Sequence, residues 1–158
     1  MISPTVQVFW EDFLATRPDP ETDRQRLHDV FAFDDNPEGA AFCAAAVIAG
    51  DKVATSGLLA MYDAEGRSHP VPGDLEIVTE FDGTPRAVIG IERVDSAPYG
   101  AIDAAFARAE GDGSLTAWRK LHQRYYGQQC AELGLSLTDK TQLLRIFFRC
   151  IHPTPRAR

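Results

Sequence analysis

The chain has 158 residues, 44% of them hydrophobic and 25% charged, and its formal net charge is −7. This length and composition suit one globular domain with its own core, and the negative charge argues against a protein that coats DNA or RNA through many contacts to phosphate. No apolar run approaches the roughly 18 residues of a membrane-spanning helix, and the N-terminus lacks the pattern of a signal peptide. We therefore expect a cytoplasmic protein with a pocket for a small molecule or for one or a few nucleotides.

Two helices come first in the predicted order of elements. Ser3 suits the N-cap and Pro4 the first position of a helix, whose apolar face comprises Val6, Phe9, Trp10, Phe13 and Leu14. Residues 21–28 are compatible with either a loop or a short helix. A second helix begins after Asn36, a capping residue, and runs to about residue 49, where Gly50 favours its end.

Extended segments and helices alternate in the rest of the chain. The predicted elements are an extended segment (51–61), a hairpin of two strands (75–80 and 85–94) joined at Asp82-Gly83, two helices (102–109 and 116–133) and a last strand (143–151). Hairpin-linked strands favour an antiparallel arrangement. The pattern predicts an α+β fold, a mostly antiparallel sheet or small barrel surrounded by helices. We expect a single domain over residues 1–158, with a core of about 6–151 and a short tail at 152–158.

The cysteines and histidines show no spacing that is typical of a ligand set. The three cysteines are far apart and form no CxxC pair, and the four histidines lie in different segments. Phosphate-binding glycine motifs and hydrolase signatures such as GxSxG and HExxH are absent from the sequence. The sequence therefore predicts no cofactor and no metal site.

The most informative stretch is the hexapeptide from Gly50 to Thr55. Lys52 and Thr55 lie three residues apart at the exit of the second helix, where an amine and a hydroxyl can act as a catalytic pair if the backbone bends. The alternative is structural: Lys52 caps the carbonyl end of the preceding helix, and Thr55 fills a strand position.

A set of motifs in a fixed order resembles the ASCH domain family of the PUA-like superfamily, in particular its bacterial stand-alone branch. The segments that carry the resemblance are Trp10-x-x-Phe13-Leu14, Phe33-Asp34-Asp35-Asn36-Pro37, Gly50-x-Lys52-x-Ala54-Thr55, Pro72-Gly73-Asp74, Glu110-Gly111-Asp112-Gly113-Ser114-Leu115-x-x-Trp118-Arg119 and His122-x-x-Tyr125-Tyr126. Three positions depart from the family pattern: Asp34 replaces a glycine, Asp51 a basic or polar residue, and Val53 a residue that is often threonine.

The resemblance implies a small, mostly antiparallel PUA-like β-barrel with a cleft beside it that recognises RNA or nucleotides. Some members look like ribonucleases, and a smaller branch comprises amidohydrolases that deacylate N4-acylated cytidines. In that branch the catalytic set matches Lys52, Thr55 and Glu110 here. The resemblance thus predicts a hydrolase acting on RNA or on a modified nucleoside, and the alternative is a non-catalytic module that binds RNA or a small molecule.

Several further side chains are candidates for binding the substrate, and each has a structural alternative. They are Asp35, Ser56, Arg86, Trp118, His122 and Tyr125. Aromatic rings on the predicted helix 116–133 can stack on a base, although Trp118 is more typical of a core residue. Asp35 can instead help to cap the second helix, and Arg86 can form an ion pair on its strand. Asp112 is as good a candidate for the acid as Glu110.

Overall fold

The computed structural model describes residues 1–153, so part of the predicted tail, residues 154–158, lies outside the described residues. The elements are α1 (Pro4–Leu14), α2 (Pro20–Gln25), β1 (Leu27–Ala32), α3 (Pro37–Ala49), β2 (Ala54–Leu58), α4 (Leu59–Glu65), β3 (Leu75–Thr79), β4 (Pro85–Pro98), a 3-10 turn (Tyr99–Ala101), α5 (Ala104–Glu110), α6 (Leu115–Glu132) and β5 (Gln142–His152). No helix in this part of the chain is long and apolar enough to cross a membrane.

The helix ends follow the sequence signals closely. Ser3 accepts a hydrogen bond from the Val6 amide at the start of α1, and Asn36 accepts one from Gly39 at the start of α3. Gly50 ends α3 with φ of 81°, a left-handed conformation that glycine adopts without strain. The predictions of both helices are confirmed.

Two segments differ from the sequence-based expectation. Residues 21–28 hold the short helix α2 and the first two residues of an unexpected strand, β1. The segment 51–61, expected to be extended, has only five strand residues in β2 before the chain turns directly into α4. Leu58 stands at the N-cap of α4 without a side-chain hydrogen bond, so the usual start signal is missing.

The five strands form one mixed, curled half-barrel sheet in the order β1-β3-β4-β5-β2. β1 runs parallel to β3, and the other pairings are antiparallel. The long strands β4 and β5 pair along most of their length, with register irregularities at Val88/Ile89 and Ile91/Arg93. Such irregularities bend a strand, which agrees with the curl of the sheet.

Strand β3 is buried along its whole length because helices cover both of its faces. Leu75 and Ile77 pack in one apolar cluster with α1. Val78 packs on the other face with α3, β4 and β5. Glu76 alternates with Leu75 and Ile77, so it shares the face of Val78. A third cluster joins β2, α5 and α6 around Trp118.

Candidate functional site

A cleft of about 390 Å³ opens between the curled sheet, α3 and α6. Its lining comes from all the strands except β4, from helices α3, α4, α5 and α6, and from the segments that follow β1, α3, α4 and α5. This volume lies in the range of small-molecule sites. The cleft is large enough for a nucleoside, and its lining includes three charged side chains that are almost fully buried, Lys52, Glu76 and Glu110.

Lys52 forms part of the cleft wall although only 6% of it is exposed. Its Nζ donates hydrogen bonds to the main-chain oxygens of Ala54 at 3.0 Å and Glu110 at 2.9 Å. The lysine therefore caps the carbonyl end of a helix, but this helix is α5, 58 residues away, and not α3 as the structural alternative supposed. A lysine Nζ can make three hydrogen bonds. Two of them are used in this way, which leaves one position for a group in the cleft.

The carboxylate of Glu110 lies at the centre of a converging set of donors. Oε1 accepts from the Ser56 amide at 2.9 Å, and Oε2 accepts from the indole Nε1 of Trp118. The Ser56 hydroxyl is 3.2 Å from Oε2 and 3.3 Å from Oε1. Nζ of Lys52 lies 3.9 Å from Oε1, so these two buried groups form an ion pair without a direct hydrogen bond. These contacts fix the orientation of Glu110 from several sides.

Tyr126 extends this network into the protein interior. Its hydroxyl lies 2.6 Å from Oγ of Ser56, and burial raises its pKa well above the usual value. Tyr126 therefore stays protonated, and it can donate to Ser56 while Ser56 donates to Glu110. The result is a relay of hydroxyl groups behind the carboxylate.

His122 faces Glu110 from α6. Its Nδ1 lies 2.8 Å from the Trp118 carbonyl oxygen, and since a carbonyl only accepts, Nδ1 carries the proton. Nε2 then faces Oε2 of Glu110 at 3.4 Å. The imidazole also stacks on the Trp118 indole, with ring centroids 4.2 Å apart.

Glu110, Asp112 and His122 are also the group best placed to hold a metal ion among the described residues. One ligand atom from each lies within 4.8 Å of the others. Burial raises the pKa of Asp112, and the nearby His122 opposes this effect. The positive charge of Lys52 beside Glu110 would compete electrostatically with a cation at this position.

Thr55 contributes to the cleft wall but stands apart from the network. It is half-buried, and its hydroxyl makes no hydrogen bond with a described residue, so it is hydrogen-bonded to neither Lys52 nor Glu110. Neighbouring Ser56 holds the carboxylate instead. The three residues of the predicted catalytic set thus share one concavity, and Lys52 and Glu110 are bonded to each other there.

The other candidates divide between the cleft and its surroundings. Ser56, His122 and Tyr125 line the cleft. Trp118 is fully buried behind it and positions Glu110. Arg86 lies outside the lining, where it is paired with Glu80 beside the hairpin turn.

Asp35 is exposed and also lies outside the cleft lining, whereas its neighbour Asp34 contributes to it. Asp34 is the only non-glycine residue with positive φ, at 64°, among the described residues. This is the position at which the family pattern has glycine. Its carboxylate packs against Gly39, where a Cβ would come within 2.0 Å of Oδ2. A strained residue of this kind, held by its surroundings, is typical of functional sites.

Sequence reasoning missed a second polar group in the same cleft. Arg67, in the turn after α4, lies 3.5 Å from Asp29 and 3.1 Å from Glu65, and its guanidinium stacks 4.5 Å from the Tyr62 ring centroid. Glu76 lines the cleft nearby on β3. The sequence gives no local signal for either residue, since acids and arginines are usually exposed.

The charges that line the cleft are predominantly negative. The acidic side chains are Asp29, Asp34, Glu76, Glu110 and Asp112, and the Lys and Arg side chains are Lys52 and Arg67. Both cations are already paired with carboxylates. The described residues of the cleft therefore offer little net attraction to a polyanion.

The model of the ASCH domain family matches residues 29–152. The chain belongs to the ASCH domain family. Its structure is similar to that of an ASCH domain from Lactobacillus crispatus JV V101, with a TM-score of 0.88 and 27% identity over 94% of this chain and 95% of that one. It is also similar to a protein from Enterococcus faecalis V583, with a TM-score of 0.79 and 28% identity over 93% and 88% of the two chains. No curated protein matches the chain.

Proposed function

We propose that this ASCH domain protein is a hydrolase that removes the acyl group from an N4-acylated cytidine or a closely related modified nucleoside. The observation that carries the proposal is the buried pair of Lys52 and Glu110 in the wall of a nucleoside-sized cleft. Because Nζ of Lys52 has one hydrogen-bonding position left for the cleft, it can stabilise the oxygen of an acyl group as negative charge develops on that oxygen.

The reaction needs a nucleophile and a route for one proton. In one route the hydroxyl of Thr55 attacks the acyl carbon, the bond from that carbon to N4 breaks, and water then hydrolyses the acyl ester formed on Thr55. In the other route a water molecule beside Thr55 attacks the acyl carbon directly, and the same bond to N4 breaks. Glu110 and Thr55 line the same cleft without a hydrogen bond between them. In this proposal the bound substrate or a water molecule bridges the two groups, and Glu110 takes the proton of the nucleophile and returns it to N4. Water is consumed, and cytidine and a carboxylic acid are released.

The cleft charge supports a nucleoside over an RNA strand as the substrate. Each phosphate of an RNA would meet carboxylates in the cleft, and both cations there already have acidic partners. Beside Lys52 the lining includes the ring of Phe33, 4.9 Å from Nζ, and the half-buried Cys43. This apolar surface suits an acyl chain.

The test is hydrolysis of N4-acylcytidines, followed by chromatography of the released cytidine, with single-stranded RNA incubated in parallel. Lys52→Met removes the amine while keeping a similar side-chain length, and we expect it to lower the rate about 100-fold or more. Lys120→Met is the matched control, because Lys120 is exposed on α6 and lies outside the cleft lining. Equal rates in the two variants, or no deacylation by the wild type, would refute the proposal.

A second candidate is a non-catalytic module that binds short single-stranded RNA. The observation in its favour is an exposed apolar rim at the cleft entrance, where Phe42 is 69% and Tyr125 38% exposed. Exposed rings at such a rim can stack on bases. Binding of an oligonucleotide that weakens steeply with added salt, without any substrate turnover, would favour this alternative.

A further inference from the structure

We propose that the second polar group of the cleft, formed by Asp29, Glu76 and Arg67, is a sugar subsite that binds the hydroxyl groups of an unphosphorylated ribonucleoside. This inference rests on the proposed function, and it assigns the ribose of the proposed substrate to this second polar group. The subsite and the network around Glu110 share no hydrogen bond among the described residues, although both contribute to one cleft.

The subsite is built on rigid elements. Asp29 on β1 and Glu76 on β3 are direct register partners in the parallel pair, next to an irregularity in β1. Arg67 is held by the ring of Tyr62, which in turn packs on Gly57 of β2 so closely that a Cβ there would come within 2.6 Å of the ring. The position of Arg67 is therefore tied to the strand that carries Thr55 and Ser56.

Glu76 provides the open acceptor of the subsite. Its residue surface is 6% exposed, and Oε1 lies 2.8 Å from Nδ1 of His28. Oε2 receives no hydrogen bond from any described residue. Oε2 is not fully enclosed by the protein, so it can be reached from the cleft, and a ligand hydroxyl there can donate to it.

The remaining groups of the subsite also favour a ligand that donates hydrogen bonds. Asp29 offers acceptors, with Oδ1 bonded to the Val30 amide at 2.8 Å and Oδ2 near Arg67. Arg67 lies between the carboxylates of Asp29 and Glu65, so its charge is already balanced. The carboxylate oxygens here would repel a phosphate, whereas they would accept hydrogen bonds from the hydroxyl groups of a sugar.

The chemistry of the proposed substrate places a sugar away from the scissile bond. In an N4-acylcytidine the acyl group and the ribose are attached to opposite sides of the pyrimidine ring. With the acyl group at Lys52, the ribose must therefore occupy a part of the cleft remote from that amine. Carboxylates are common partners of ribose hydroxyls, which matches Asp29 and Glu76.

The experiment measures binding of cytidine, 2′-deoxycytidine and cytidine 5′-monophosphate by isothermal titration calorimetry. For the wild type we expect cytidine to bind about tenfold more tightly than 2′-deoxycytidine, and the monophosphate to bind more weakly than cytidine. In Glu76→Gln we expect the ratio between cytidine and 2′-deoxycytidine to approach one. Glu92→Gln, on an exposed strand residue outside the cleft lining, should keep the wild-type ratio.

The ratio of the two affinities separates recognition from a loss of structure, because general damage weakens both nucleosides alike. If Glu76→Gln fails to fold, Asp29→Asn at the half-buried partner position tests the same ratio. Equal affinities in the wild type, an unchanged ratio in the variants, or tighter binding of the monophosphate would overturn the subsite. Because cytidine carries no acyl group, selective binding without any deacylation would refute the proposed function and leave the subsite standing.

Discussion

Replacing Tyr126 by phenylalanine tests the hydroxyl relay behind Glu110. The ring of Tyr126 is 1% exposed, and its hydroxyl has the Ser56 hydroxyl as a partner at 2.6 Å. The variant loses that bond and leaves no larger cavity, and Ser56 keeps its contacts with Glu110. No buried group is left wholly unpaired, so we expect the net cost of one hydrogen bond, about 1 kcal/mol.

The assay is urea unfolding followed by circular dichroism, with thermal unfolding as a second measure. A loss of this size should lower the melting temperature by about 2–4 °C for a chain of this length. Tyr125→Phe is the matched control, since its hydroxyl is exposed and receives only a bond of 3.3 Å from Gln129. We expect a change of less than about 0.5 kcal/mol there.

The reasoning fails if the two phenylalanine variants are equally stable. It also fails if Tyr126→Phe costs the 3 kcal/mol or more that is typical of an orphaned buried charge. The first result would mean that the contact with Ser56 contributes nothing net. The second would mean that Glu110 depends on Tyr126 for its position.

The remaining predictions concern packing and pH. Gly57→Ala should lower the free energy of unfolding by about 1–3 kcal/mol because its Cβ would collide with Tyr62. Gly127→Ala has no atom near its Cβ position, so it should stabilise α6 by about 0.5–1 kcal/mol. A denaturation curve of each variant measures both changes, and changes of the same sign would contradict the prediction. Burial raises the pKa of Glu76 above the usual value of a glutamate, and the hydrogen bond from His28 opposes the shift. The folded state therefore holds the proton to higher pH than the unfolded state does, and stability falls as the pH rises from about 4.5 through the folded pKa. Glu76→Gln has no carboxyl group to titrate at this position, so its stability should not show this decrease. The stability of the variant relative to the wild type should therefore increase between pH 4 and pH 7, and a constant difference would show that Glu76 is not the titrating group.

Local signals predicted most elements of the fold, and the exceptions have physical reasons. The caps at Asn36 and Gly50 define α3 because they act within one turn of the chain. Strand β1 was missed because its partner is β3, 47 residues later at the pair Val30–Ile77, and parallel pairing leaves no hairpin signal. Helix α4 was missed because its N-cap, Leu58, provides no side-chain hydrogen bond.

The candidate site was predictable only where a resemblance joined distant segments. Lys52 and Glu110 are 58 residues apart, and no spacing rule connects them. Ser56 was included as a binding candidate, while its role as the partner of Glu110 emerges only from the packing of β2 against α5. Glu76 and Arg67 were missed because an acid in a predicted strand and an arginine in a predicted loop are both usually surface residues.

The indole of Trp118 gives this protein a spectroscopic probe inside its own site. The ring is fully buried, donates its N–H to Glu110 and stacks on His122, so its emission should respond to a change in either neighbour. The other tryptophan, Trp10, lies on α1 in a different apolar cluster. A Trp10→Phe background would leave one fluorophore, with which ligand entry could be followed in real time without a labelled substrate.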